Sequence, residues 1–254
     1  MEQRIDLNVF KMKKLSIIFL LALFVPQMYG QKIDSLDINK KLSYKTFIAP
    51  TVLLTSGVFL LNSSPNSSIQ ERSNTFFGTD FNSKIDNFTP LVPIAQIYAG
   101  RYIGFKPKNT VLHQTVDIFV ANALAVAVVQ ITKNLVKEER PDHSDKLSFP
   151  SGHTAVAFTN AALLFQEYKD SNFWYASSGF VFATATGILR IANNKHYSSD
   201  VLAGAGIGIL SGILVTNYNP FQSIKFGRKK SNAAFIYPQF GATNGLGILI
   251  KPNF

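Results

Sequence analysis

Six apolar segments recur along the chain: Phe47 to Leu61, Leu91 to Phe105, Val116 to Ile131, Thr154 to Phe165, Tyr175 to Ile191 and Val201 to Thr216. None sustains an alternation of apolar and polar residues, so each reads as a helix and not as a strand. Helices this apolar must bury most of their surface in one another or in lipid. The expected fold class is therefore all-α, a membrane-embedded bundle of about five to six apolar helices. Composition agrees: 46% of the 254 residues are apolar, 16% are charged and 22 are Phe, which is rich in hydrocarbon for a water-soluble chain and far from disorder. The length suits one domain.

Crossing a bilayer is a tighter demand. At about 1.5 Å per residue, Val116 to Ile131 covers roughly 24 Å of a hydrocarbon core of about 30 Å, so a span needs the flanking residues as well. Leu91 to Phe105 is the weakest candidate because it carries Pro93, Gln96 and Arg101. Val201 to Thr216 is uncharged and rich in Gly and Ala, the composition that lets helices pack closely in a membrane.

The outer parts of the chain read differently. "MKKLSIIFLLALFVPQMYGQ", from Met12, has two lysines, an apolar run from Leu15 to Val25 and small Gly30 before Gln31, the layout of a secretory signal peptide with translation starting at Met12. The other reading is an uncut anchor, for which the apolar run is short. The expected organisation is a signal peptide over 1–30, a polar segment over 31–45, a helical domain over 46–218, and a basic linker with a β-hairpin tail over 219–254. "NSSPNSSIQERSNTFFGTDFNSK", from Asn62 to Lys84, reads as loop. In the tail, Asn244-Gly245 favours a tight hairpin turn. There is no cysteine, which excludes disulfides and thiolate metal sites. The net charge of +10 suits nucleic acid, anionic lipid or a phosphorylated substrate, but no nucleic-acid recognition motif or aromatic platform accompanies it.

Three polar islands stand at ends of apolar segments. In "KNLVKEERP", Lys133 and Arg140 are two helical turns apart, so on a continuous helix they share a face, and Pro141 ends it. In "SFPSGHTAV", Pro150 stiffens the entry, Ser151 is an N-cap for the helix from Thr154 onward, and Gly152 permits close approach to the backbone. The free amides of such a helix end receive anions, and His153 stands beside them. In "LRIANNKHYSSDVLAG", Arg190 closes a helix, while His196 and Asp200 are four apart at the start of the next, so the carboxylate can orient the imidazole. Taken singly, each island also fits a plain structural role: a solvated basic helix end, a capping turn, a helix-surface pair.

Together they are far more specific. Lys133, Arg140-Pro141, Pro150-Ser151-Gly152-His153, Arg190, His196 and Asp200 at these spacings resemble the tripartite signature of the type 2 phosphatidic acid phosphatase and vanadium haloperoxidase superfamily. Leu189 stands where that family usually has serine. The resemblance implies a helical bundle and a phosphatase that needs no metal or other cofactor. His196 would attack phosphorus, Asp200 would orient it and His153 would protonate the leaving alcohol. Lys133, Arg140, Arg190, Ser151 and Gly152 would hold the phosphoryl oxygens.

The implied partners are a membrane and a lipid phosphate such as phosphatidic acid, phosphatidylglycerol phosphate, undecaprenyl diphosphate or a lipid A phosphate. The implied place is the bacterial cell envelope, in the inner membrane with the site facing the periplasm, or in the periplasm itself. If every segment spanned behind a cleaved signal, the site would face the cytoplasm, so Leu91 to Phe105 or Phe47 to Leu61 is expected not to span. The basic "KFGRKK" that follows the last apolar segment marks a cytoplasmic end. The rival readings are a secreted acid phosphatase of broad specificity and, from another class, a non-catalytic membrane scaffold.

Overall fold

Polar caps set where the apolar segments become helices. The computed structural model describes residues 43–218, 233–239 and 245–251, and within 43–218 it is all-helical, with seven α-helices. Helix α1 spans Lys45–Leu60. Helix α2, Ser64–Phe77, begins at Ser63, whose side chain accepts from the Asn66 amide. Two short 3-10 turns, Ile85–Asn87 and Thr89–Leu91, lead into α3, Val92–Ile103. Thr110 caps α4, Val111–Val136, through the His113 amide. Ser151 caps α5, Gly152–Tyr168, through the Thr154 amide, and Asn172 caps α6, Phe173–Ala192, through the Tyr175 amide. Helix α7 spans Ser198–Tyr218.

Each of the six apolar segments is a helix, but the Asn62 to Lys84 stretch corrects the loop reading, because α2 occupies most of it. The serine cap with Pro65 in the first turn favours a helix start. Tertiary bonds then hold it: Asn66 donates from Nδ2 to Ser199 Oγ at 2.9 Å, and its Oδ1 accepts from Ser198 Oγ at 2.7 Å and the Ser199 amide at 3.0 Å. Asn66 thereby caps α7 from a distant part of the chain.

Helix α7 lies against α5, α1 and α4 and is mostly buried. Its contact with α5 is made by glycines one turn apart. A methyl at Gly204 would lie 2.6 Å from the Ser151 carbonyl oxygen, one at Gly212 would lie 2.8 Å from Ala162 Cβ, and one at Gly208 would collide with the Ala155 carbonyl. The opposite side meets α1, where a methyl at Gly206 would lie 2.7 Å from the Pro50 carbonyl. Backbone therefore touches backbone, the close approach small residues permit in lipid. Gly208→Ala is expected to destabilise the fold by about 2 kcal/mol through overpacking, read as a lowered thermal midpoint in detergent.

Helices α5, α6 and α7 follow one another across short connections, and the longer loop after α4 is tied back by Lys133 to Ser148, by Arg140 to the Lys195 carbonyl and by the Ser151 amide to the Asp200 carbonyl. The end of α4, the start of α5, the end of α6 and the start of α7 thus gather at one end of the bundle. Among the described residues two helices, α4 and α7, are long and apolar enough to cross a membrane, and the bent pair α1 and α2, turned by 93°, makes up to three. Helix α3, the segment with Pro93 and Arg101, is not among them. Phe119, Val126, Ile131 and Leu135 are exposed on α4, so its outer face is hydrocarbon and matches a lipid contact better than water.

The residues after Asn219 form a separate unit, in which the backbone of β1, Ala233–Gln239, pairs antiparallel with β2, Gly245–Lys251, from Ala233 opposite Lys251 to Gln239 opposite Gly245. The signal peptide and polar segment over 1–42, the basic linker and the turn leading to Asn244 lie outside the described residues.

Candidate active site

Helix ends bring the sequence-predicted residues together. The first island departs from expectation: α4 stops at Val136, where Lys137 turns left-handed at φ 52°, so Lys133 sits in the last helical turn and Arg140 arrives on the following loop. The shared helix face is replaced by loop contacts. Lys133 Nζ donates to the carbonyls of Leu147 and Ser148, the latter at 3.1 Å, which ties the first island to the second. An ammonium has three donors, so one is left for a ligand. Arg140 donates from Nε to Asp145 at 2.8 Å and from Nη1 to the Lys195 carbonyl at 3.1 Å.

His196 is the centre of the arrangement. Its Nδ1 lies 3.2 Å from Asp200 Oδ2, and its Nε2 lies 3.2 Å from Arg140 Nη1. A carboxylate only accepts and a guanidinium only donates, so the two contacts fix one tautomer: Nδ1 carries the hydrogen and Nε2 the lone pair. The ring is 2% exposed. Burial first, and the charges of Lys133 and Arg190 after it, hold its pKa down to about 4 against the opposing pull of Asp200. At neutral pH the imidazole is therefore an uncharged base with its lone pair aimed among cations.

Asp200 is fully buried and well served. Its Oδ2 accepts from Ser148 Oγ at 2.5 Å and the Tyr197 amide at 3.0 Å, and its Oδ1 accepts from Ser199 Oγ at 3.1 Å. The Ser151 amide donates to the Asp200 carbonyl at 3.0 Å, locking the start of α5 to the start of α7. Ser151 itself is buried, with Oγ accepting from Thr154 Oγ1 at 2.9 Å. Gly152 leaves the helix end open, since a methyl there would meet only Val129 at 3.7 Å. His153, in the first turn of α5, contacts Asn87 Oδ1 through Nε2 at 3.1 Å. Burial and the charges of Arg190, Arg140 and Lys133 lower its pKa, against Asp86. Arg190 pairs with buried Asp86 at 2.7 Å, while its Nε is buried without a hydrogen-bond partner among the described residues.

All three cations thus act on both histidines, beside a helix N-terminus. Such a cluster suits a tetrahedral oxyanion. Residues 114–223, which include every one of these predicted residues, match the PAP2 superfamily model. This part of the chain is similar to the PAP2 superfamily. Lipid A 1-phosphatase of Porphyromonas gingivalis is 39% identical over 159 residues, covering 61% of this chain and 35% of that protein. Decaprenylphosphoryl-5-phosphoribose phosphatase of Mycobacterium tuberculosis is 35% identical over 106 residues, covering 38% of this chain and 54% of that one. The match thus spans about a third to a half of these relatives. The crystal structure of Aquifex aeolicus LpxE is similar over 62% of this chain and 98% of that one, with 23% identity and a TM-score of 0.47.

Several residues around this site are not among those the sequence predicts. Asp86 and Arg190 are 104 positions apart, and nothing local in "KIDNFTP" marks the pairing. Glu138 carried a weak signal as an acidic residue inside a basic island. It is buried against Asp200, and burial together with that carboxylate pushes its carboxyl well above the usual carboxylate range, so it is a neutral acid able to donate to Asp200. His143 is exposed and bonds to Glu139 at 2.5 Å.

Proposed function

We propose that this chain is a lipid phosphate phosphatase working through a phosphohistidine, with its site outside the cytoplasm. The observation that carries the reading is the His196 tautomer: a neutral buried ring whose Nε2 carries the lone pair, turned toward Arg140 among the cations, and whose Nδ1 hydrogen is held by Asp200. As the P–N bond forms, positive charge grows on the ring and Asp200 stabilises it. The P–O electron pair leaves with the alcohol oxygen, which takes a proton from His153. Water then gives its proton to His153 and displaces His196 from phosphorus. Lys133, Arg140, Arg190 and the α5 amides at Gly152 meet the phosphoryl oxygens, supplying by fixed charge what metal ions supply in other phosphoryl-transfer sites.

A lipid substrate is supported by the position of the site at the end of two helices able to cross a membrane, and by relatives whose names specify a lipid A phosphatase and a decaprenyl-linked phosphatase. Helix α7 runs away from the site, and the basic "KFGRKK" follows it in sequence, so the positive-inside rule favours a cytoplasmic far end. Phosphate release in EDTA, from phosphatidic acid in detergent micelles beside an aryl phosphate, tests the reading. Preference for the lipid is expected, and equal rates would favour a broad acid phosphatase.

The two histidines also set a pH profile. His196 must be neutral, so kcat/KM falls as pH drops through about 4. His153 must be protonated, and its lowered pKa makes kcat/KM fall as pH rises through a value below the ordinary 6.5. A bell with an acidic apex is expected in a pH series of kcat/KM, and a plateau through neutrality would contradict the pair of roles.

A further inference from the structure

The histidine of the second island has a partner that comes from none of the three islands. The 3-10 turn Ile85–Asn87 is pinned against α6. Asp86 Oδ2 receives Arg190 Nη1 at 2.7 Å and Asn193 Nδ2 at 3.0 Å. Asn193 also bonds the Ser83 amide and carbonyl, each at 2.8 Å. Just beyond the turn, Thr186 donates to Thr89 Oγ1 at 2.7 Å and Asn160 donates to the Pro90 carbonyl at 3.0 Å. A turn held at so many points presents its next side chain at a fixed place, and that side chain is Asn87.

We propose that Asn87 is a positioning residue that holds His153 through Nε2–H and leaves Nδ1 as the nitrogen that passes the proton to the leaving group. Asn87 Oδ1 only accepts, so Nε2 must carry its hydrogen in both charge states of the ring. The transferable proton then resides on Nδ1. When the P–O bond breaks, that proton goes to the departing oxygen, and the ring is left neutral with Nε2–H still on Asn87. Water attacking the phosphohistidine returns a proton to the same Nδ1. A neutral amide suits this duty better than a carboxylate, because it orients the ring without stabilising the cation that must give its proton away. His196 has the reverse need, and its partner is Asp200. The charged groups facing His153 are Arg190 on α6, Asp86 on the turn, Arg140 on the loop after α4 and Lys133 on α4. The partner's identity therefore tunes a ring already surrounded by three cations.

The catalytic part of this inference rests on the phosphatase reading, but the tautomer does not, so the test separates them. The chain has four histidines, and a His153→Gln spectrum identifies the His153 signals in full-length, isotope-labelled protein in detergent. Nitrogen shifts of the neutral ring should report Nε2–H. Asn87→Asp should raise the His153 titration midpoint by about one pH unit, because a carboxylate favours the cation. Asn87→Leu should release the tautomer. Asn87 is exposed, so neither variant threatens the fold. In turnover, Asn87→Asp should move the basic limb of the profile to higher pH and leave the acid limb in place. An Nδ1–H tautomer, or an unchanged midpoint in Asn87→Asp, would overturn the proposal even if phosphate release depends on His196. The expected NMR shifts without any His196-dependent release would leave the positioning intact and sink the phosphatase reading instead.

Discussion

His196→Ala is expected to lower phosphate release by at least about 10⁴-fold, since the attacking atom is gone and no neighbour can replace it. The remaining cations would still bind phosphate, so the loss should fall on kcat far more than on KM. The fold should survive, because Asp200 keeps Ser148 Oγ, Ser199 Oγ and the Tyr197 amide after the ring is removed. Circular dichroism and the thermal midpoint check that point, and steady-state release in EDTA checks the loss. Residual turnover within a factor of about 10 of wild type would rule out His196 as the nucleophile.

Asp200→Asn is expected to cost about 10³- to 10⁴-fold, though it deletes no atom from the site. Its Oδ2 position now accepts from His196, Ser148 and the Tyr197 amide together. An amide oxygen in that place carries no charge and accepts more weakly, while its NH₂ takes the Oδ1 place beside Ser199 Oγ. The ring is then held less firmly, and the positive charge that grows on it as the P–N bond forms loses its counter-charge. Phosphate affinity should change little, whereas the nucleophile is disarmed. Single-turnover kinetics would show a slowed phosphorylation step, and an unchanged rate for that step would remove Asp200 from its orienting role.

Much of this arrangement was legible in the sequence because its parts are local. The pairing of His196 with Asp200 needs only a four-residue spacing at a helix start, and the Ser151 cap needs only a serine before an apolar run. The six apolar helices follow from composition and period. The failures share a cause of the opposite kind. Residues 64–77 looked like loop because their serines and asparagines are poor helix formers alone, and it is Asn66 binding Ser198 and Ser199 that holds them. The α4 terminus was misplaced by four residues because Lys137, and not Pro141, breaks the helix, and a left-handed lysine has no sequence signature. Asp86 and Asn87 were invisible because their partners lie on α6 and α5, far along the chain.

The glycine seam between α5 and α7 has a consequence for how the protein tolerates change. His153 and His196 stand at the starts of these two helices, and the helices meet through main chain, with no rotamer or side-chain length left to adjust. The spacing between the two imidazoles is therefore a property of the backbone. Residues on the exposed apolar face of α4, such as Phe119, can vary without reaching the site, while the separation of the two rings stays constant.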